Sequence, residues 1–254
     1  MRPNILIIND DGIQSPGILA LAQAMESIGS ITIVAPDQEQ SAKSHSITLN
    51  DPIRVNSANL KKGFKGWAVN GTPVDCAKIA LQSLLRKKPD LLISGINLGS
   101  NLGKNLIYSG TISAAYEGTI LGIPSAAISI DSITAKEFSA AKQVSISIAN
   151  YLLKNKLPKG TMLNVNIPYI RKNKIKGFRV TKQGRSSFID TFEKRIDPRG
   201  RSYFWIKGKI KNFDSSVEFD GEAILNGYIS ITPIDFDLTD DVYLNELKKD
   251  FIHD

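Results

Sequence analysis

The sequence predicts an α/β protein with a mostly parallel sheet, helices on both faces and a hairpin-rich C-terminal extension. The first observation is that short apolar runs alternate with helical patterns through the first 130 residues. This order is typical of parallel strands joined by right-handed helical crossovers. The second is that the pattern after Pro168 changes to short strand-like pieces between Gly, Pro and Asn turns. We therefore expect a core over residues 1–168 and an extension over residues 169–254.

The elements follow from the spacing of the apolar residues. Continuous apolar runs predict buried strands at residues 4–8, 31–35, 67–70, 90–94, 125–130 and 162–167. Apolar residues at three-and-four spacing predict helices over residues 17–28, 73–85, 111–121 and 135–153. In the extension, the pattern predicts strands at residues 178–181, 203–206 and 228–232. A short helix over residues 240–251 is expected to dock on a neighbouring subunit.

The composition excludes several classes of protein. The hydrophobic share is 42%, which is ordinary for a globular protein, and no run of about 18 apolar residues could span a bilayer. The first residues lack a signal-peptide pattern, and one cysteine, Cys76, cannot form an intramolecular disulfide. We expect a cytoplasmic protein without membrane or redox function. The net charge of +7 favours anionic partners, but many lysines fall in predicted solvated loops, so nucleic acid is not the expected partner.

Three polar loops follow predicted strands, at residues 9–12, 36–42 and 95–103. The carboxyl ends of parallel strands share one edge of the sheet, and ligands of open α/β sheets bind at that edge. All three loops are rich in small and polar residues. We therefore expect them to form one site.

Asp10 and Asp11 place two adjacent carboxylates directly after the first strand. Two negative charges so close together require a cation or a shared proton, and a divalent metal is the simpler answer. Hard ions such as Mg²⁺ or Mn²⁺ prefer oxygen ligands, which the Ser41 hydroxyl and the Asn97 carboxamide could add. The alternative is a plain turn, since Asp-Asp-Gly is also good turn chemistry. The position beside two other polar loops favours a metal site with one ion per subunit.

The glycine-rich segment over residues 95–111 predicts a phosphate-binding loop. Four glycines allow the backbone to approach a ligand closely; they are Gly95, Gly99, Gly103 and Gly110. Ser109 and Thr111 flank the start of a predicted helix, and a helix N-terminus with hydroxyl neighbours suits a phosphate. A helix cap by Ser109 or Thr111 needs no ligand, and both interpretations can hold together. The spacing matches neither a dinucleotide nor an ATP-loop fingerprint.

Four residues near these loops receive structural interpretations. We expect Asp75 to cap the helix that begins near residue 73, and Cys76 to be a buried thiol without a histidine partner. Glu117, in the middle of a predicted helix, is expected to be structural as well. His45 follows the second polar loop, and contact with a substrate is the less favoured interpretation of its position.

The shortage of histidine narrows the reaction chemistry. With only His45 and His253, a Ser-His-Asp or histidine-phosphate mechanism has few residues to use, whereas a metal can activate water directly. Phosphoryl transfer to an aspartate would usually show Asp-x-Asp, and here Asp10 and Asp11 are adjacent. The sequence therefore predicts metal-activated hydrolysis with Asp10 and Asp11 as the catalytic residues.

These loops together resemble the SurE family, the stationary-phase survival protein nucleotidases. The matching stretches are Asn9-Asp10-Asp11-Gly12 with Ser15-Pro16-Gly17-Ile18, Ala35-Pro36-Asp37 through Ser41-Ala42, Asn70-Gly71-Thr72-Pro73-Val74-Asp75-Cys76, and Ser94-Gly95-Ile96-Asn97 through Tyr108-Ser109-Gly110-Thr111. Segments 163–168, 197–200 and 227–233 are also similar to the family, so the resemblance runs almost end to end. Residues 207–222 fit the family pattern only loosely.

The resemblance implies a Rossmann-like catalytic core and a C-terminal extension exchanged between subunits of a homodimer or homotetramer. It implies divalent-metal hydrolysis of nucleoside 5′- and 3′-monophosphates, with short polyphosphate as a further substrate of some members. The metal ligands then fall on Asp10, Asp11, Ser41 and Asn97. The residues that would bind the substrate phosphate are Asn9, Asn101, Ser109, Gly110 and Thr111.

Two other classes of function would use the same features. A nucleotide-binding regulator would use the pocket without hydrolysis, so turnover distinguishes an enzyme from it. A basic nucleic-acid-binding protein would bind oligonucleotides in a salt-sensitive way, without using the loop of Asp10 and Asp11.

Overall fold

A nine-stranded sheet organises residues 2–251, the part of the chain that the computed structural model describes; His253 lies outside it. The strands are β1 (Asn4–Ile8), β2 (Ser30–Pro36), β3 (Val55–Asn59), β4 (Lys65–Val69), β5 (Leu91–Leu98), β6 (Ser125–Ile130), β7 (Met162–Ile167), β8 (Phe178–Val180), β9 (Ser187–Ile196), β10 (Ser202–Lys211) and β11 (Ile229–Ile234). In the nine-stranded sheet their order is β3-β4-β2-β1-β5-β6-β7-β11-β8. β9 and β10 form a separate antiparallel hairpin.

The centre of the sheet is parallel. β1 pairs in parallel with β2 and β5, and β6 continues the same direction between β5 and β7. Antiparallel pairing occurs where β3 joins β4 and where β11 joins β7. The carboxyl ends of β1, β2 and β5 therefore lie at one edge, which is the edge that the three polar loops require.

Helices cover both faces of the sheet. The helices are α1 (Pro16–Glu26), α2 (Pro73–Ile79), α3 (Gly110–Ile120), α4 (Ser139–Lys154), α5 (Asp220–Leu225) and α6 (Asp241–Phe251). Successive residues of a strand point to opposite faces, so Ile5 and Ile7 of β1 join the core beneath α1 and α4. Leu6 and Ile8 join the second core beneath α2 and α3. The predicted fold class is thus confirmed.

The sheet continues beyond Pro168. β11 pairs with β7 over five residue pairs, from Ser230 with Asn166 to Ile234 with Met162, and β8 adds the last strand. The boundary that the sequence suggests at residue 168 therefore falls inside the sheet. The β9–β10 hairpin and α6 stand apart from it, and the side chains of α6 are not buried within the described residues.

Several predicted bounds differ from the structure for identifiable reasons. The predicted helix over residues 135–153 begins only at Ser139. Ala135 and Phe138 precede the helix and are buried in the core, so they extend the apolar pattern beyond the helix itself. The predicted helix over residues 73–85 changes after Ile79 into a π-helical turn, Ala80–Leu84. β3 and β9 were not predicted, because β3 is polar and β9 mixes apolar and charged residues.

None of the helices within residues 2–251 combines the length and the apolar character needed to cross a bilayer.

Candidate active site

The three polar loops meet at the acidic pair. The backbone N–H of Gln40, in the loop after β2, donates to the carbonyl oxygen of Asp10 at 2.8 Å. The N–H of Leu98, at the end of β5, donates to Asp11 Oδ2 at 3.2 Å. The loops that the sequence assigns to one edge are therefore joined around Asp10 and Asp11.

Asp10 carries its carboxylate inside the protein, where 3% of the residue is exposed. The hydroxyl of Thr111 donates a short hydrogen bond to its Oδ1. Burial raises the pKa of Asp10 above 3.8, although the Thr111 hydrogen bond acts in the opposite direction. Without a cation nearby, the ionised form of this carboxyl is therefore disfavoured.

Asp11 lies at the mouth of a cleft and is partly exposed. Burial and the neighbouring charge of Asp10 together raise the pKa of Asp11 from 3.8 to about 7. Two carboxyls that both resist ionisation are stabilised as a charged pair by a bound cation.

Ser41 lines the same cleft as Asp11, and Asn97 directly precedes Leu98, whose N–H binds Asp11; both side chains carry an oxygen that suits a cation. The Ser41 hydroxyl donates to Glu39 Oε1 at 2.7 Å, which leaves the lone pairs of Ser41 Oγ as acceptors. The Asn97 amide donates through Nδ2 to the Gly99 carbonyl at 2.6 Å, which leaves its carboxamide oxygen for another partner. In both side chains, these hydrogen bonds leave oxygen lone pairs available for a cation.

The chemistry of these donors fits a hard divalent ion. Two carboxylates, a hydroxyl and a carboxamide are the oxygen ligands that Mg²⁺ and Mn²⁺ prefer. Residues 2–251 hold no group of three or more His, Cys, Asp or Glu side chains that could bind a metal, so a zinc-type cluster is not built there. The acidic pair with its two neutral oxygen ligands fits the expected cation site.

The N-terminus of α3 lies against the acidic pair. The Ser109 side chain caps the helix by accepting a hydrogen bond from the Ile112 N–H at 3.2 Å, so the predicted cap is confirmed. Gly110 is the first residue of the helix, and a Cβ at this position would lie 2.8 Å from Asp10 Cβ. Only glycine allows this approach. The positive end of the helix dipole therefore lies against the Asp10 side chain.

Asn9 and Asn101, two of the predicted phosphate ligands, donate their side-chain amide N–H groups to other protein atoms. Asn9 is buried, and its Nδ2 donates to the Gly12 carbonyl at 3.0 Å and to Ser15 Oγ at 2.7 Å. The Nδ2 of Asn101 donates to Ser129 Oγ at 2.9 Å, inside the protein. The amide N–H groups of Asn9 and Asn101 thus shape the loops, whereas Ser109, Gly110 and Thr111 lie beside Asp10.

Glu39 belongs to the site but was not predicted. It lines a cleft of about 550 Å³ together with Asp11, Ser41 and Leu98. Its charge contributes to the raised pKa of both Asp10 and Asp11, and it accepts the Ser41 hydrogen bond. The signal that could have found it is a second acidic residue, after Asp37, in the polar loop that follows β2.

Two structural interpretations from the sequence are confirmed. Asp75 and Thr72 form a reciprocal cap at the start of α2, with the Asp75 N–H donating to Thr72 Oγ1 and the Thr72 N–H donating to Asp75 Oδ2. Cys76 is a free and buried thiol whose pKa is raised by burial. Neither residue lines the cleft beside Asp11.

The fold and the site define a class: a Rossmann-like α/β protein with a buried acidic pair and a helix N-terminus at the carboxyl edge of its sheet. The model of the family described as "Survival protein SurE" matches residues 5–190. A protein named 5′-nucleotidase SurE from Syntrophomonas wolfei is 46% identical over 248 residues, covering 97% of this chain and 94% of that protein. The protein of the same name from Moorella thermoacetica is 43% identical over 244 residues, covering 96% and 94%.

Solved structures give the same result. The crystal structure of the SurE protein from Aquifex aeolicus aligns with a TM-score of 0.83 and 40% identity, covering 97% of this chain and 99% of that one. The chain therefore belongs to the SurE family.

Proposed function

We propose that the protein is a metal-dependent phosphomonoester hydrolase that releases phosphate from nucleoside 5′-monophosphates, and also from 3′-monophosphates. The observation that carries the proposal is the contact between Asp10 and the start of α3 at Gly110 and Thr111. It joins a cation-binding pair to a helix N-terminus suited to phosphate. The relatives named 5′-nucleotidase SurE, which match nearly the full chain, support the substrate class.

One divalent cation, Mg²⁺ or Mn²⁺, would be held by Asp10, Asp11, Ser41 and Asn97. Such an ion supplies charge neutralisation at the phosphate and activation of water. The raised pKa values of Asp10 and Asp11 support this assignment, because a cation makes their ionised forms favourable.

The protein's own groups have separate tasks in the reaction. Asp10 or Asp11, once ionised, accepts the proton of the water that attacks phosphorus. The first turn of α3, from Ser109 to Thr111, stabilises the negative charge on the phosphoryl oxygens. Thr111 keeps the Asp10 carboxylate in a fixed orientation through its hydroxyl. Positioning and electrostatics thus account for most of the expected rate enhancement.

The substrate class can be tested by phosphate release from 5′-AMP, 5′-GMP, 3′-AMP and an aryl phosphate at equal concentration. We expect a higher kcat/KM for the nucleotides than for the aryl phosphate, since the open cleft beside Asp11 offers room for a nucleoside. A higher kcat/KM for the aryl phosphate would indicate a general phosphatase. Tight nucleotide binding without any release would instead support a regulator.

The β9–β10 hairpin supports a homodimer or homotetramer. Cross-strand pairing puts six apolar side chains on one of its faces: Phe188, Phe192, Ile196, Phe204, Ile206 and Ile210. These residues are between 39% and 68% exposed. A two-stranded ribbon with one uncovered apolar face is marginal in water and is stabilised when another surface covers that face. A second copy of the chain is the partner that the family resemblance implies.

A cytoplasmic location completes the proposal. Cys76 is buried and unpaired, as is usual for a protein of a reducing compartment.

A further inference from the structure

A buried carboxylate in α3 joins three parts of the molecule. Glu117 has a side chain that is 3% exposed, and its Oε2 accepts a hydrogen bond from His45 Nε2 at 2.9 Å. Its Oε1 accepts from Lys78 Nζ, in α2, at 2.7 Å. Burial alone would raise the pKa of Glu117, but the two hydrogen bonds outweigh burial and hold this pKa below its ordinary value. Glu117 is thus an ionised group with two donors.

The two donors come from different kinds of structure. Lys78 belongs to a helix that packs in the second core, so its position is fixed without Glu117. His45 belongs to an irregular loop, four residues after Ser41. The ring of His45 also contacts the edge of Tyr116 in α3, with ring centroids 5.7 Å apart. The loop of Ser41 is therefore attached to α3 through His45.

The backbone between Ser41 and His45 is strained. Ala42 has φ of 56° and Ser44 has φ of 52°, in the left-handed region that residues with a Cβ rarely adopt. Such conformations persist only where surrounding contacts over-determine them. Contacts that hold this stretch include the His45–Glu117 hydrogen bond and the hydrogen bond from the Ser44 N–H to the Tyr108 carbonyl at 3.0 Å. Within the stretch, the Ser46 N–H donates to the Lys43 carbonyl at 3.3 Å.

Beyond His45 the chain is held more strongly. The Thr72 hydroxyl donates to the Ser46 carbonyl at 2.7 Å, and the Thr48 N–H donates to Asp75 Oδ1 at 3.0 Å. These bonds fix the far side of the loop to α2. On the side of Ser41, the Gln40 N–H donates to the Asp10 carbonyl at 2.8 Å, and the Ser41 hydroxyl donates to Glu39. At the other end of this stretch, the His45 ring binds the buried carboxylate of Glu117. His45 therefore fixes the end of the strained stretch that leads back to Ser41.

We propose that His45 is a positioning residue for the cation site: its hydrogen bond to Glu117 holds the strained loop so that Ser41 stays in the cleft that it shares with Asp11. This inference rests on the proposed function, in which Ser41 binds the cation. His45 acts through the loop and does not itself touch the metal or the substrate.

The test measures binding of Mn²⁺ alone to the full chain by titration calorimetry, with folding checked by circular dichroism and thermal unfolding. His45→Ala is expected to raise the dissociation constant by about tenfold, the lower end of the range for groups that orient metal ligands. His45→Phe keeps a ring beside Tyr116 and removes the donor, so it should show the same weakening and is the variant to use if alanine does not fold. His45→Gln retains a donor and should recover most of the affinity.

Lys78→Met is the matched control, because it removes the other donor of Glu117 from an element outside the loop. It should lower the unfolding temperature without changing Mn²⁺ affinity. Folded His45→Phe protein with the affinity of the unaltered chain, or equal weakening in Lys78→Met, would overturn the inference. Failure of the unaltered protein to bind Mn²⁺ would instead contradict the proposed function, so the two failures are distinguishable.

Discussion

Asp10 and Asp11 lie where their protein surroundings disfavour ionisation of the carboxyl groups. Burial raises the pKa of both carboxyls, and each is further raised by a neighbouring acid, Glu39 for Asp10 and Asp10 for Asp11. A turn would leave two such side chains in water. Their burial beside the N-terminus of α3 is the residue-scale reason to assign them a ligand.

Asp10→Asn should abolish turnover in a folded protein. The amide keeps the shape of the side chain and removes the charge that binds the cation and accepts a proton. We expect the rate of phosphate release to fall by about 100-fold or more, the scale of a lost acid–base group. Thermal unfolding without metal should occur at the same temperature as in the unaltered protein, or higher, because a buried charge is removed. Full activity in the folded variant would refute the metal-site assignment.

The metal-free protein should show the raised pKa of Asp11 as a pH effect on stability. A carboxyl with a folded pKa of about 7 and an ordinary value of 3.8 binds its proton more tightly in the folded state. Its contribution to the free energy of unfolding therefore decreases as pH rises from about 4 to about 7. Urea unfolding at pH 5 and pH 8, with chelator, should show the unaltered protein losing stability relative to Asp11→Asn. A stability difference that does not change with pH would contradict the raised pKa.

At the residue scale, the sequence reveals candidate ligands more readily than the residues that orient them. Adjacent aspartates after a strand are visible in the sequence, so Asp10 and Asp11 could be assigned. The amide of Asn101, by contrast, lies in the loop after β5 and donates to Ser129, which belongs to β6. Glu39 acts on the pair only through the folded loop. Such effects depend on distances between elements, which spacing along the chain does not encode.

At the element scale, the start of α3 must lie close to Asp10. Gly110→Ala would put a Cβ 2.8 Å from Asp10 Cβ and 3.0 Å from Pro73 Cγ, so the helix or the acidic pair must move. We expect a loss of about 1–3 kcal/mol in stability, as in other overpacked sites, and at least about tenfold in kcat. Urea unfolding and phosphate release measure the two effects.

Gly118→Ala in the same helix is the control for this prediction. Its Cβ would lie 2.6 Å from Ser125 Oγ and 2.7 Å from Leu92 Cδ1, away from the cleft. It should destabilise the protein to a similar extent while the folded enzyme keeps its kcat. An equal loss of kcat in both variants would show that any displacement of α3 slows the reaction, and would contradict a specific role for the contact between Gly110 and Asp10.

The elements that the sequence missed lie mostly outside the central sheet. The parallel strands are buried on both faces, so their apolar runs predict them well. β9 mixes apolar and charged residues, and none of the residues of β9 and β10 is buried, so the sequence predicts only residues 203–206 of this hairpin. α5 is a short helix whose Asp220 is buried and accepts hydrogen bonds from the N–H groups of Gly103, Gly184 and Gly221. The sequence offers no sign that the extension supports the glycine-rich loop in this way.

At the scale of the whole molecule, the apolar face of the hairpin predicts self-association. Phe192→Lys puts a charge on that face, at a side chain that is 68% exposed. We expect the subunit dissociation constant to rise at least about tenfold, which corresponds to about 1.4 kcal/mol. Light scattering over a dilution series measures it. Thr191→Lys adds the same charge to the other face and should leave association unchanged. A monomeric unaltered protein at all concentrations would contradict the prediction.

The most direct test of the account is phosphate release from 5′-AMP before and after removal of metal. If the reaction needs one cation bound by Asp10, Asp11, Ser41 and Asn97, a chelator should abolish phosphate release, and Mg²⁺ or Mn²⁺ should restore it in the same sample. Release at an unchanged rate in the chelator would contradict a metal-dependent site at this edge of the sheet.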